Sequence, residues 1–156
     1  GENFSKKYKK SYIFRVASLY GVAGSSGKGG NFVESIITKI TNNEVINVVD
    51  DQIMSPTSTT YISEILLSFI HNKYEYGVYN VVNDGELSWY DFAKDICELY
   101  GKPFKINRIK TDSLALKANR PEYSALSTNK ISNLGISIPS YKTELKKYLI
   151  AKNHIK

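Results

Sequence analysis

The sequence predicts an α/β fold built on a parallel sheet, and three observations carry that prediction. Short runs rich in β-branched and aromatic residues, at 11–17, 45–49 and 78–82, alternate with longer stretches whose apolar residues recur at helical spacing. Parallel neighbours need a crossover between them, and helices of this length supply one. Asparagine, serine, glycine and proline stand at the junctions, where caps and turns need them.

Taken in order, Ser11-Tyr-Ile-Phe-Arg-Val-Ala17 reads as a strand, followed by a glycine- and serine-rich loop over 18–30. Asn31 is an N-cap for a helix whose Phe32, Val33, Ile36, Ile37 and Ile40 form one apolar stripe, stopped at Asn42-Asn43. The second strand, 45–49, ends in the polar turn 50–57, where Pro56 forbids a continued ladder. A helix over about 58–72 is expected to turn Ile62, Ile65, Leu66, Phe69 and Ile70 inward. The strand 78–82 turns at Asn83-Asp84-Gly85. Ser88 then caps a third helix, with Asp91 as its capping-box partner and Trp89, Phe92, Ala93, Ile96 and Leu99 as its stripe. Gly101 and Pro103 end it. A weaker fourth strand over 105–109, a loop through Arg120-Pro121, and short helices over 127–134 and 140–151 complete the reading.

Composition narrows the function. At 156 residues and 42% hydrophobic, the chain can build one ordinary core. The run 62–70 is broken by Ser63, Glu64 and Ser68, well short of the roughly 20 apolar residues of a membrane span. No secretion signal precedes it, and the single Cys97 cannot form an intrachain disulfide, so a cytoplasmic location without membrane contact is expected. Met54 is the only methionine, which marks the sequence as an expected piece of a longer chain. The net charge of +6 sits largely in lysines near the two ends, as on solvated surfaces. A phosphorylated small molecule fits that charge better than nucleic acid, whose binding modules interleave clustered charge with stacking aromatics.

Gly21-x-x-Gly24-x-x-Gly27 lies between a strand and a helix, with Asp50 and Asp51 after the next strand, as in a dinucleotide-binding unit. The long gap before Asn31 departs from that fingerprint, and Val22 and Gly29 break a phosphate-loop pattern around Gly27-Lys28. Tyr90 with Lys94, and Tyr148 with Lys152, have the Tyr-x-x-x-Lys spacing of short-chain reductases, in which lysine lowers the phenol's pKa for proton transfer. With 12 tyrosines in a lysine-rich chain, composition alone yields one or two such pairs, and helix-face positions are expected. No metal ligands converge, and Cys97 reads as a small buried side chain.

Several segments together resemble the C-terminal half of the dTDP-4-dehydrorhamnose reductase family of extended short-chain reductases. They are Arg15-Val-Ala-Ser-Leu-Tyr-Gly21, Asn31-Phe32, Val48-Val-Asp-Asp-Gln-Ile-Met-Ser-Pro-Thr57, Gly77-Val-Tyr-Asn-Val-Val-Asn83, Ser88-Trp-Tyr-Asp-Phe-Ala-Lys94 and Arg120-Pro-Glu-Tyr-Ser-Ala-Leu-Ser127. Ser18 stands where these reductases usually carry tryptophan.

The resemblance implies the last strands of a Rossmann-like parallel sheet plus a small substrate-binding lobe, with residues 1–87 mostly in the former and 88–156 mostly in the latter. It implies NADPH- or NADH-dependent reduction of a nucleotide-linked 4-keto sugar to dTDP-rhamnose. The cofactor and the catalytic Tyr-x-x-x-Lys then belong to an absent N-terminal half, and the 156 residues alone are expected to be inactive. By the same resemblance, Asn31, Phe32, Asp51, Gln52, Ser55, Thr57, Arg120 and Ser124 bind the dTDP-sugar, and Tyr20 is a weaker candidate for cofactor contact. The guanidinium of Arg120 suits a diphosphate. Implied partners are the dTDP-sugar, the absent half and a further copy of the chain. A non-catalytic nucleotide-sugar or interaction module, an epimerase relative, and a self-sufficient nucleotide-binding domain using the Gly21 loop remain alternatives.

Overall fold

The computed structural model describes residues 1–23, 30–114 and 118–156. In chain order its elements are α1 (Glu2–Ser5), β1 (Tyr12–Arg15), β2 (Leu19–Tyr20), α2 (Phe32–Thr41), β3 (Val45–Val49), β4 (Ile53–Met54) and β5 (Thr57–Ser58). Then come α3 (Thr59–His71), β6 (Gly77–Asn80), β7 (Leu87–Ser88), α4 (Trp89–Tyr100) and β8 (Lys105–Ile109). A 3-10 turn (Thr111–Ser113), α5 (Asn129–Ser132) and α6 (Tyr141–Ala151) follow.

The α/β class stands, with the sheet drawn as two-stranded pairs. β1 runs parallel to β6, with Tyr12 opposite Gly77 and Arg15 opposite Asn80. β3 runs parallel to β8, from Val45 opposite Lys105 to Val49 opposite Ile109. The two-residue pair β2 and β5 is also parallel, whereas β4 and β7 are antiparallel.

Two apolar clusters divide the molecule. In the first, α3 lays Tyr61, Ile65 and Phe69 on the β1–β6 pair, with Tyr79 and Val81 beneath and Ile131 of α5 alongside. The Phe69 ring sits 5.0 Å from Phe14 and 4.8 Å from Tyr79, both edge to face. In the second, α2, α4 and α6 enclose β3, burying Val33, Ile36, Ile46, Phe92, Ile96 and Leu149. Each such side chain contributes about 1.5–3 kcal/mol by leaving water.

The caps form where the sequence predicts them. The Asn31 side chain accepts the Glu34 N–H at 3.2 Å, and Ser88 Oγ accepts the Asp91 N–H at 3.0 Å while donating to Asp91 Oδ2 at 2.7 Å. Gly101, at φ +73°, ends α4 in the left-handed conformation that glycine adopts without strain.

Two expectations need correction. The inward stripe of α3 is Tyr61, Ile65 and Phe69, while Leu66 and Ile70 are 41% and 76% exposed. A two-stranded pair is too narrow to cover both apolar rows of that helix. The helix expected over 127–134 is a single turn, α5, because so short a segment bears the whole nucleation cost with no side-chain cap at Thr128.

The clusters are tied together at Asn83. Its buried side chain accepts the Ser58 N–H at 2.8 Å and donates to the Pro139 carbonyl at 3.2 Å. Next to it, Gly85 meets the Tyr141 ring so closely that an added Cβ would lie 2.5 Å from Cδ1. No helix among the described residues is long and apolar enough to cross a membrane.

Candidate functional site

A cleft of about 650 Å³ opens between α2, β3, the start of α4 and the 118–124 segment. That is an ordinary size for a small-molecule site. Its floor is apolar: Ile36 from α2 with Ile46 and Val48 from β3. One wall is the aromatic pair Phe32 and Trp89, with ring centres 4.6 Å apart at 61°. Phe32 also stacks on Phe92 at 5.9 Å, so the wall is anchored in the second apolar cluster.

The rim is polar and carries two cations, Lys39 and Arg120. Phe32, Ser35, Ile36 and Lys39 are spaced i, i+3, i+4 and i+7, so they share one face of α2. Among the described residues neither Lys39 nor Arg120 lies within 4 Å of a carboxylate, and no carboxylate lines the cleft. The cleft thus presents two cations without a direct ion-pair partner beside an apolar floor.

Hydrogen bonds hold the rim in place. Gln52 Nε2 donates to Thr111 Oγ1 at 2.9 Å, and Thr111 Oγ1 donates in turn to Asp51 Oδ1 at 2.7 Å. The Thr111 N–H, at 2.9 Å from Asp51 Oδ2, and its hydroxyl hold the Asp51 carboxyl below the ordinary carboxylate value. The Gln52 carbonyl accepts the Trp89 N–H at 3.3 Å, joining this turn to the start of α4. On the far side, the Ser124 N–H and Oγ both donate to the Ile53 carbonyl, at 2.9 and 3.1 Å, docking the segment that carries Arg120 onto β4.

Of the residues that the sequence singles out, Phe32, Gln52, Arg120 and Ser124 meet in this cleft. Asn31 lines the adjoining cavity with Phe32 and Lys39, and Asp51 lines another with Arg120. Ser55 and Thr57 do not reach the cleft. They are 3% and 0% exposed, and Thr57 Oγ1 donates to the Ser55 carbonyl at 3.1 Å, which turns the chain into β5. Tyr20 is also away from it, 2% exposed, with its ring edge-on to Tyr148 at 5.4 Å. Burial there pushes the phenol far above its ordinary value.

Lys39 and Trp89 were not among the residues predicted for the site. Trp89 has the spacing of a core stripe and Lys39 that of a solvated helix tail. The i, i+3, i+4, i+7 relation to Phe32 was the available signal for Lys39.

The other chemical candidates are accounted for structurally. Tyr90 lies under the Arg108 guanidinium at 4.3 Å, and its spacing partner Lys94 pairs with Glu98. Tyr148 is buried and donates to Glu34 Oε1 at 2.5 Å; burial and that carboxylate push its phenol up, the reverse of an activated proton donor. The Cys97 thiol is fully buried and pushed up to about 11, so little thiolate forms near neutrality. No group of three or more His, Cys, Asp and Glu side chains arranged to hold a metal ion occurs among the described residues. Gly24, Gly27 and Lys28 of the glycine motif lie outside the described residues. Gly21 lies within them, and an added Cβ there would strike the Thr59 side chain at 2.0 Å, so this glycine serves close packing.

The RmlD substrate binding domain, as a family, matches residues 1–153. The spore coat polysaccharide biosynthesis protein SpsK of Bacillus subtilis (strain 168) is 37% identical over 142 residues, covering 90% of this chain and 47% of that protein. The dTDP-4-dehydrorhamnose reductase of Escherichia coli (strain K12) is 29% identical over 161 residues, covering 96% and 52%. A crystal structure of dTDP-4-dehydrorhamnose reductase from Bacillus anthracis in complex with NADP superposes with a TM-score of 0.87 at 33% identity, over 96% of this chain and 52% of that one. The chain spans about half the length of the curated relatives it matches. The segments that converge on the cleft are among those in which the sequence resembles the reductases, and the match extends over nearly every residue: this chain belongs to the dTDP-4-dehydrorhamnose reductase family, as an RmlD substrate binding domain.

Proposed function

We propose that the cleft binds the nucleotide diphosphate of a dTDP-linked 4-keto sugar, and that the chain is the substrate side of an NAD(P)H-dependent reductase forming dTDP-rhamnose. One observation carries this reading: two cations, Lys39 and Arg120, face a cleft whose lining holds no carboxylate. A diphosphate supplies two or more negative charges, and a guanidinium binds phosphate oxygens through paired donors. The Phe32–Trp89 wall and the apolar floor suit the flat and deoxygenated parts of such a ligand.

Among the described residues Gly21 follows β2 and α2 begins only at Phe32, while Gly24, Gly27 and Gly29 lie outside them. Neither Tyr-x-x-x-Lys pair is disposed for proton transfer. Hydride and proton delivery are assigned to another part of a longer protein; the relative crystallised with NADP is a chain of which this one covers 52%.

The proposed contact with that other part is the outer edge of β1. Among the described residues β1 pairs only with β6. β6 is further engaged by the 127–130 segment, where Lys130 donates to the Val78 carbonyl at 3.0 Å and the Ser127 carbonyl accepts from Asn80 Nδ2 at 2.8 Å. An unpaired edge beside the exposed Leu66 and Ile70, which line one cavity with Tyr12 and Phe14 of β1, is a surface that proteins normally cover.

Calorimetric titration of the full-length protein with dTDP tests the reading. Arg120→Met is expected to weaken binding about tenfold, equivalent to about 1.4 kcal/mol, and Lys39→Met about three- to tenfold. Absence of dTDP binding by the folded wild-type protein would overturn the assignment.

A further inference from the structure

We infer that Glu34, Tyr148 and His154 form a clamp that positions Asn31 and Phe32, and so sets the aromatic wall of the cleft; this deepens the proposed nucleotide site and rests on it. The clamp is a continuous chain of hydrogen bonds between the C-terminal segment and the start of α2. His154 Nε2 lies 3.0 and 3.2 Å from the two carboxylate oxygens of Glu34. Tyr148 donates to Glu34 Oε1 at 2.5 Å and accepts from Asn31 Nδ2 at 3.1 Å. Asn31 Nδ2 also donates to the Gly21 carbonyl at 3.2 Å, and its Oδ1 caps α2 through the Glu34 N–H. Phe32, the next residue, meets Trp89 at 4.6 Å.

The arrangement exceeds what helix capping requires. Asn31 alone satisfies the cap, yet a carboxylate, a phenol and an imidazole converge behind it, brought from positions 114 and 120 residues apart in the chain. Linked bonds of this kind fix geometry more firmly than separate ones. The clamp borders the site, since Asn31, Phe32 and Glu34 line the adjoining cavity, which shares Phe32, Ser35 and Lys39 with the cleft.

Burial raises the Glu34 carboxyl, but the bonds from Tyr148 and His154 outweigh it and leave the carboxyl below its ordinary value. Lys152, just past the end of α6, and Tyr100 of α4, whose ring lies edge-on to His154 at 6.1 Å, flank the contact.

The test uses the full-length protein labelled with 5-fluorotryptophan, the Trp89 resonance being assigned with Trp89→Phe. Its shift and the affinity for dTDP are compared in the wild type, His154→Gln, Tyr148→Phe and His71→Gln. His154→Gln and Tyr148→Phe are each expected to move the Trp89 resonance and to raise Kd about three- to tenfold, whereas His71→Gln, altered at the chain's other histidine, should leave both as in the wild type. Tyr148→His, which restores a donor, should recover part of the loss. An unmoved Trp89 resonance in both His154→Gln and Tyr148→Phe would overturn the clamp. If the wild type binds no dTDP, the nucleotide reading fails, and the Trp89 resonance in these variants still decides the clamp.

Discussion

The two apolar clusters are built from similar residues, yet one is closed and the other open. Around β3 and β8, three helices converge, and α2 and α4 each end one buried stripe in a working cap. Around β1 and β6, α3 covers one face, α5 supplies a single turn, and a row of large apolar side chains is left in water. The difference separates two tasks. The closed region holds aromatic and charged groups at the cleft, whereas the open region leaves a strand edge and an apolar helix face exposed, the surface proposed above to meet another part of a longer protein.

Mutations in the two regions should differ most at their helices. Phe92→Ala, deep in the closed cluster, is expected to cost about 3–5 kcal/mol in denaturant unfolding of the full-length protein. If Ile70 were as buried as its sequence pattern implied, Ile70→Ala would cost about 2–5 kcal/mol in the uncovered chain. The structure instead predicts a change within about 0.5 kcal/mol there, unless a covering partner is present.

An effect smaller than that at Phe92 is expected at the joint. Asn83→Leu removes both side-chain bonds and leaves the buried Ser58 N–H unpaired, at about 1–3 kcal/mol, while the Pro139 carbonyl keeps the Asp84 N–H at 3.0 Å. Hydrogen exchange should show faster exchange at Ser58 before α3 or α4 is affected. Unchanged protection would mean that the regions are joined elsewhere.

Ser88→Ala should cost about 1 kcal/mol, read in thermal unfolding, and should disturb Trp89 at the next position. Asp51 gives the smallest signal, in its pH dependence. Because its folded-state pKa is depressed, chiefly by the Thr111 N–H, its stabilisation is present above the unfolded value of about 3.9 and is lost as pH falls through the folded value. Asp51→Asn should therefore make acid unfolding less steep while leaving the slope near neutrality unchanged.

Much of this architecture is legible in the residues. The stripe of α2, the Ser88–Asp91 box and the glycine after α4 are local patterns, and each forms where the sequence places it. The pairs β2–β5 and β4–β7 are not legible, because two-residue strands carry no periodicity and their partners lie 30 or more positions away. The outward row of α3 misleads for a related reason: its apolar residues fit a buried helix, and only the width of the sheet beneath decides which row is covered. At the cleft, the convergence of Phe32, Gln52, Arg120 and Ser124 follows the family resemblance, while Lys39 and Trp89 emerge from geometry. The Glu34–His154 contact joins residues 120 positions apart and has no local signature.

The most direct measurement is a crystal structure of the full-length protein grown with saturating dTDP. The account predicts the diphosphate between Lys39 and Arg120, with the nucleoside against Phe32 and Trp89. A nucleotide bound elsewhere, with this cleft left to solvent, would contradict it.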